Sequence, residues 1–365
     1  MAIPFVLAMF LVRSIIPYIL LITYKRRLFD RLDDRKVHQS FTPRLGGVAF
    51  MPVQIIVLAF SLVIIYGFDF QDYLPVLITW RILPMFVMWA VGMCMLYLVG
   101  IADDILGVSY KVKFLVQLLA ASLFPIAGLW INDLYGFFFV VQVPYFLGAI
   151  LTVFLTVFII NAINLIDGLD GLCAGLIGVS SVVMGILFML GGAWVHALLA
   201  FITAGVLIPF FIYNVFGVVK KRRRIFMGDT GSMTLGYTAA FLAISYSMNL
   251  KEIKPFAEGA IIVAFSTLLI PIYDVLRVIT IRLYARRPIF KADRCHLHHR
   301  LLQLGFTHRQ AMVLLIGVSL FLSVLNLLLV EKISNNIVVL LDIIVLLTLS
   351  VLFDIRLGAR KTIVN

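Results

Sequence analysis

Charge is scarce in this chain. Asp, Glu, Lys and Arg make up 13% of its 365 residues, against 63% that are hydrophobic. A water-soluble globule carries about a quarter of its residues charged, so this composition, with a mean hydropathy of +1.10, excludes one. Acids are scarcer than bases, 18 against 30, which leaves a net charge of +12. Cysteine is nearly absent: Cys94, Cys173 and Cys295 are scattered and odd in number, so no disulfide framework exists. Cys295 next to His296, His298 and His299 raises a zinc site, but these residues lack the spaced pairs that converge tetrahedrally on zinc. Internal repeats, low-complexity tracts and nucleic-acid-binding modules are also missing. No connection is long enough for a soluble domain, so residues 1–365 read as a single membrane domain.

What the chain does have is long apolar runs. Stretches able to cross a hydrocarbon core of about 30 Å lie roughly at 2–23, 45–66, 82–101, 112–130, 144–161, 171–190, 194–216, 232–249, 258–279, 310–330 and 335–353. The expected fold is an all-α polytopic membrane protein of about eleven helices. The first run is too long for a signal-peptide core and lacks a basic start and a small-residue cleavage site, so it counts as a helix. Odd-numbered connections and the tail hold 24 Lys and Arg, among them Lys25, Arg26, Lys36, Arg44, Lys111, Lys113, Lys220 to Arg224, Arg282 and Arg286. The other connections hold four: Arg81, Lys251, Lys254 and Lys332. The positive-inside rule then predicts an outer N-terminus and a cytoplasmic C-terminus. Orientation and attraction to anionic lipid account for most of this positive charge without any catalysis.

Four polar clusters interrupt the apolar runs: Asp103-Asp104, Asn161 to Asp170, Phe226 to Asp229 and His296 to His299. They recur between alternate spans, so they share one side of the bilayer, predicted to be the cytoplasmic one. Asp103-Asp104 alone is weak, since a helix end often closes on a solvated acidic turn. The segment Asn161-Ala-Ile-Asn164-Leu-Ile-Asp167-Gly168-Leu-Asp170-Gly171 is stronger. Its Asn161, Asn164 and Asp167 lie three apart and share a broad helix face, and its glycines admit a ligand close to the backbone. A helix end capped by Asn, Asp and Gly is the competing explanation.

Lys220 to Arg224 followed by Ile225-Phe226-Met227-Gly228-Asp229-Thr230-Gly231-Ser232 suits a nucleoside diphosphate. An aromatic face stacks a base, glycine loops offer N–H groups to phosphate, and a carboxylate holds Mg²⁺. The competing reading is a positive-inside loop with Asp229 or Thr230 as an N-cap. In Ala285 to Arg300, three histidines and several arginines suit a phosphorylated sugar, because arginine forks match phosphate and imidazole donates or accepts near neutrality.

With those residues in view, the chain resembles the polyprenyl-phosphate N-acetylhexosamine-1-phosphate transferase family over nearly its whole length. The motifs that carry the likeness run in order: Thr42-Pro43-Arg44-Leu45-Gly46-Gly47, Asp103-Asp104, Asn161 to Gly171, Phe226 to Ser232 and His296-Leu297-His298-His299. The Asp293-Arg294-x-His-x-His-His pattern resembles the bacterial branch that uses UDP-N-acetylglucosamine (UDP-GlcNAc) and undecaprenyl phosphate, and departs from the muramoyl-pentapeptide and dolichol branches.

The resemblance implies Mg²⁺-dependent transfer of GlcNAc-1-phosphate to undecaprenyl phosphate with release of UMP, Mn²⁺ being a substitute metal. It implies a multi-pass protein of the bacterial inner membrane that starts a cell-envelope glycan, such as lipopolysaccharide or teichoic acid. Carried over, Asp229 is a metal ligand and Asn164 a second. Phe226 stacks on uracil, Asp170 binds its edge, and Asp167 and Asn214 line the nucleotide pocket, with Asn161 close by. Asp103 and Asp104 lie near the attacking lipid phosphate. His296, His298, His299 and Arg294 lie near the sugar and diphosphate, and Lys36 and Arg44 are further substrate contacts. A homodimer joined through apolar outer faces is compatible with this reading, and no nucleic acid is expected as partner.

Two other classes stay open. A transporter for a nucleotide sugar or a cation would place ionisable groups at mid-helix and show repeat symmetry, and here the acids cluster at span ends. A lipid-binding scaffold would not need the acidic and histidine sets. Within the enzyme reading, another UDP-N-acetylhexosamine is the runner-up substrate.

Overall fold

The structure, a computed structural model, describes residues 1–26, 43–68, 79–286, 288 and 296–364. These form thirteen α-helices and no strand among the described residues. They are α1 Ala2–Arg26, α2 Phe50–Gly67, α3 Ile82–Leu106, α4 Tyr110–Ile126, α5 Tyr145–Ile166, α6 Leu172–Leu190 and α7 Trp194–Val215. There follow α8 Gly228–Ser247, α9 Ala260–Ser266, α10 Leu269–Tyr284, α11 Leu297–Gln303, α12 His308–Leu329 and α13 Asn335–Val364. Helix is what an apolar run must adopt in lipid, where every backbone N–H and C=O has to find a partner inside its own segment. Local sequence marks some of the ends. Thr307 and Gln310 form a reciprocal capping box that starts α12, and Gly107, at φ +78°, closes α3.

All eleven expected spans are helical, but they are not equally able to cross a membrane. Eight helices are long and apolar enough, and the bent pair α9 and α10 makes a ninth at most. The run 258–279 breaks near Thr267, where α9 and α10 meet at 80°. The run 112–130 yields only the 17 residues of α4. The run 232–249 becomes α8, whose sequence is diluted by glycine, serine and threonine.

That dilution is explained by position. Every residue of α8 from Thr230 to Ser247 is buried, and the helix packs against α3, α5, α6 and α9. Surrounded by protein, it needs no greasy surface. Its hydroxyls turn back on the helix: Thr234 donates to the Thr230 carbonyl at 2.7 Å and Thr238 to the Thr234 carbonyl at 3.0 Å. Small residues let neighbouring backbones close in. On α3, Gly92, Leu96, Gly100 and Asp104 follow one another at four-residue steps, a single stripe, and the stripe faces α8. A Cβ on Gly100 would lie 2.5 Å from the Thr230 Cα. Gly100→Ala is therefore expected to pry α8 from α3 and lower the melting temperature in detergent. An unchanged melt and unchanged activity would show that the two helices can part without consequence. Outer helices behave oppositely: Ile3 and Phe10 on α1 and Leu340 and Leu347 on α13 point outward, exposed.

Candidate functional site

The first turn of α8 is where the polar clusters meet. The stripe on α3 ends at Asp104, and the close approach at Gly100 brings that carboxylate onto the N-terminus of α8. It accepts from the Asp229 amide at 2.8 Å, the Thr230 amide at 3.1 Å and the Thr230 hydroxyl at 2.6 Å. An acid at a helix N-terminus satisfies orphan amides and complements the helix dipole. Neither Asp229 nor Thr230 caps this helix; the cap comes from another helix. Gly228 sits at φ +74°, and a side chain there would meet the Asp104 carboxylate 2.6 Å away and the Arg44 carbonyl. Glycine is required at that turn.

Asp103 does close its own helix end, as the simplest reading expects, by accepting from the Val108 amide at 2.7 Å. Its other oxygen does something else. Lys113, on α4, places its ammonium 3.1 Å from Asp103 and 2.7 Å from Asp229. The lysine thus joins two carboxylates that sequence kept 126 residues apart, 103 and 229.

Helix α5 brings the third cluster. Asn164 donates to the Ser232 hydroxyl at 2.8 Å and also hydrogen-bonds the Asp229 carboxylate. Asn161 donates to Gln117 at 2.7 Å, tying α5 to α4. Asp167 ends the helix. Burial pushes its carboxyl well above the usual range, and the negative charges of Asp229, Asp170 and Asp104 push it further, against the opposite pull of Arg44.

Asp170 pairs with the Arg224 guanidinium, which lies over the Phe226 ring at 5.6 Å. Asn214 spends its amide on backbone: it accepts from the Gly171 amide at 2.6 Å and donates to the Ile225 carbonyl at 2.8 Å. It braces the turn after α5 against the segment carrying Phe226. That segment is also zipped to the first-loop motif, with Phe226 N–H donating to Pro43 at 2.7 Å and Gly46 N–H returning to Phe226 at 2.9 Å. Arg44 is held in this zipper beside Gly228. Lys36 and Arg294 lie outside the described residues, as does Cys295.

The histidines reach the same region. His298 is buried against the α5–α6 turn; a Cβ on Gly168 would lie 2.8 Å from its Nε2. Burial and the neighbouring His299 lower its pKa to about 3, so it is neutral at physiological pH. Neither of its ring nitrogens has a hydrogen-bond partner among the described residues. His299 packs on it with ring centroids 4.2 Å apart. His296 stacks on His298, with centroids 5.8 Å apart, and meets Asp274 of α10 through Nδ1 at 2.8 Å.

Several of these residues were not selected from sequence as site residues: Lys113, Gln117, Thr230, Ser232 and Asp274, with Arg224 seen only as part of a basic run. For Asp274 a signal existed, an acid inside an apolar run, which is expensive in a membrane and so seldom idle. Lys113 gave none beyond its charge, which orientation already explained.

Among the described residues no three His, Cys, Asp or Glu form a ready metal cage. Magnesium does not require one, since it is held by one or two carboxylates with water and substrate phosphates. Asp229 and Asp103, converging on one ammonium, fit such an ion. Asn164 is bonded to Asp229 and steadies it.

A family model described as glycosyl transferase family 4 matches residues 85–247, which span α3 to α8. The chain is 32% identical, over 80% of its length and 74% of the relative's, to an undecaprenyl-phosphate alpha-N-acetylglucosaminyl 1-phosphate transferase of Yersinia pestis. It is also 32% identical to a probable undecaprenyl-phosphate N-acetylglucosaminyl 1-phosphate transferase of Bacillus subtilis, over 88% of this chain and 82% of that one. An Escherichia coli relative of the first name is 28% identical over 79% of this chain and 72% of its own. With α3, α4, α5 and α8 supplying both the matched region and most of the site, the chain belongs to the family of these undecaprenyl-phosphate N-acetylglucosaminyl 1-phosphate transferases.

Proposed function

We propose that this protein transfers GlcNAc-1-phosphate from UDP-GlcNAc to undecaprenyl phosphate, giving undecaprenyl-diphosphate-GlcNAc and UMP. The observation that carries the reading is the convergence of Asp103, Asp104, Lys113, Asn164 and Asp229 at the first turn of α8, beside the Asp170–Arg224–Phe226 group. It combines a place for phosphates and a cation with an aromatic face for a base. The relatives' names supply the acceptor and the group transferred.

An oxygen of the lipid phosphate attacks the phosphorus that bears the sugar, and the bond to the bridging oxygen breaks, so that UMP departs with the electron pair. The attacking group is already an anion at pH 7, because a phosphate monoester has a second pKa near 6. A strong base is unnecessary. The obstacle is repulsion between two phosphates, which Lys113 and the arginines offset. A bound Mg²⁺ held by Asp229 and Asp103 would neutralise charge on the diphosphate. Asp103 and Asp104 have their oxygens engaged by Lys113, Val108 and the start of α8, which favours direct attack over a phosphorylated aspartate. The basic-residue asymmetry supports a site at the cytoplasmic face of the membrane.

The test is UMP release by purified protein given undecaprenyl phosphate, Mg²⁺ and a panel of UDP-N-acetylhexosamines. Turnover with UDP-GlcNAc is expected; turnover confined to a different UDP-sugar would replace the donor. Within that assay Phe226→Ala should raise the KM for UDP-GlcNAc by an amount corresponding to about 1 to 3 kcal/mol of lost stacking. The KM for the lipid should hardly move. A change confined to the lipid KM would take Phe226 out of the nucleotide pocket.

A further inference from the structure

Asp274 is a buried acid that the chemistry above does not use. It lies in the second turn of α10, only 1% exposed, and both its oxygens are committed to the histidine segment. One accepts from the Leu297 amide at 2.8 Å, at the start of α11, and the other meets His296 Nδ1 at 2.8 Å. His296 is itself 6% exposed. With Nδ1 held by Asp274, only Nε2 of that ring is left for another partner. The ring stacks on His298 at 5.8 Å between centroids, and His298 in turn rests on Gly168. Helix α10 packs against α5, the helix that carries Asn161, Asn164 and Asp167. The histidine segment is thus moored twice to one rigid frame, through Asp274 to α10 and through His298 to the end of α5.

We infer that Asp274 is a positioning residue: it fixes the tautomer and direction of His296, so that Nε2 is offered to the sugar diphosphate. This rests on the function proposed above. A carboxylate hydrogen-bonded to one ring nitrogen sets which nitrogen carries the proton and which way the ring faces. Packing alone would be served by an apolar residue, whereas a buried carboxylate is costly unless its partners use it.

A double-mutant cycle on the full-length protein in detergent tests this, with Asp274→Asn, Asp274→Ala, His296→Ala and the Asp274→Asn, His296→Ala pair. His296→Ala and Asp274→Asn should each lower kcat/KM for UDP-GlcNAc by about tenfold or more, leaving the KM for undecaprenyl phosphate unchanged. If Asp274 acts through His296, the pair should be no worse than His296→Ala alone. Losses that multiply would overturn the proposal, as would an active Asp274→Asn. Collapse of both Asp274 variants on size exclusion would assign the residue to the fold and overturn it too. Wild-type protein run alongside separates the two ideas: if it releases no UMP, the functional reading has failed, and a working wild type with multiplying losses condemns only the role of Asp274.

Discussion

Asp229→Ala is expected to cut UMP release by on the order of a thousandfold, comparable to removing a principal transition-state contact, while the protein stays folded in detergent. Asp229 sits where the amide ladder of α8 begins, hydrogen-bonded to Asn164 and 2.7 Å from Lys113. Among the described residues it accepts from no backbone amide that would hold α8 in place; Asp104 does that work. Its loss should therefore spare the fold and remove the ligand. Two readings check this independently. Wild-type protein should melt higher when Mg²⁺ is added without substrate, and Asp229→Ala should not. Mg²⁺-dependent turnover at the wild-type rate in the variant would end the assignment of Asp229 as metal ligand.

Much of this was legible in sequence because lipid leaves so few options. A long apolar run has to be helix, and alternation of spans places polar connections on one side. Asp103-Asp104, Asn161 to Asp170 and Phe226 to Asp229 were recognisable for that reason, and the structure gathers them around the start of α8. The individual roles were less visible. Asp104 reads as a simple helix-end acid until α8 is seen docked on the Gly92–Gly100 stripe, and only then is it the cap of a helix far away in sequence. Asn214 reads as a pocket residue, yet both ends of its amide are taken by backbone groups.

The spans that differ from expectation do so for different reasons. Hydropathy reports exposure to lipid, and α8 has little: its Ser, Thr and Gly residues are surrounded by other helices, so the run 232–249 is legible as a helix but too diluted to stand among the eight apolar enough to cross a membrane. The break between α9 and α10 has a local marker instead: it falls at Ser266-Thr267, and Pro271, in the first turn of α10, has no N–H and crowds the carbonyl four residues back, that of Thr267. Pairings such as Lys113 with Asp103 and Asp229 depend on tertiary approach between α3, α4 and α8, which no local spacing encodes.

Lys113→Met should have effects of opposite sign on binding and on turnover. The ammonium lies 3.1 Å from one carboxylate and 2.7 Å from another, and all three side chains are largely shielded from solvent. Opposite unit charges 4 Å apart attract by about 4 kcal/mol at an effective dielectric of 20, so removing the lysine leaves Asp103 and Asp229 facing each other with their repulsion unrelieved. Methionine keeps much of the length and none of the charge. Without metal the variant should melt below wild type. Mg²⁺ should then restore its stability at lower concentrations than wild type needs for its own shift, because no ammonium competes for the carboxylates. Catalysis should still fall, by on the order of a hundredfold or more, because the cation that steadies the incoming phosphate is gone. The half-point of the Mg²⁺-induced melting shift and the rate of UMP release measure the two effects separately. A half-point that rises or stays fixed would mean that Lys113 does not share its place with the metal, and turnover near wild type would remove it from the chemistry.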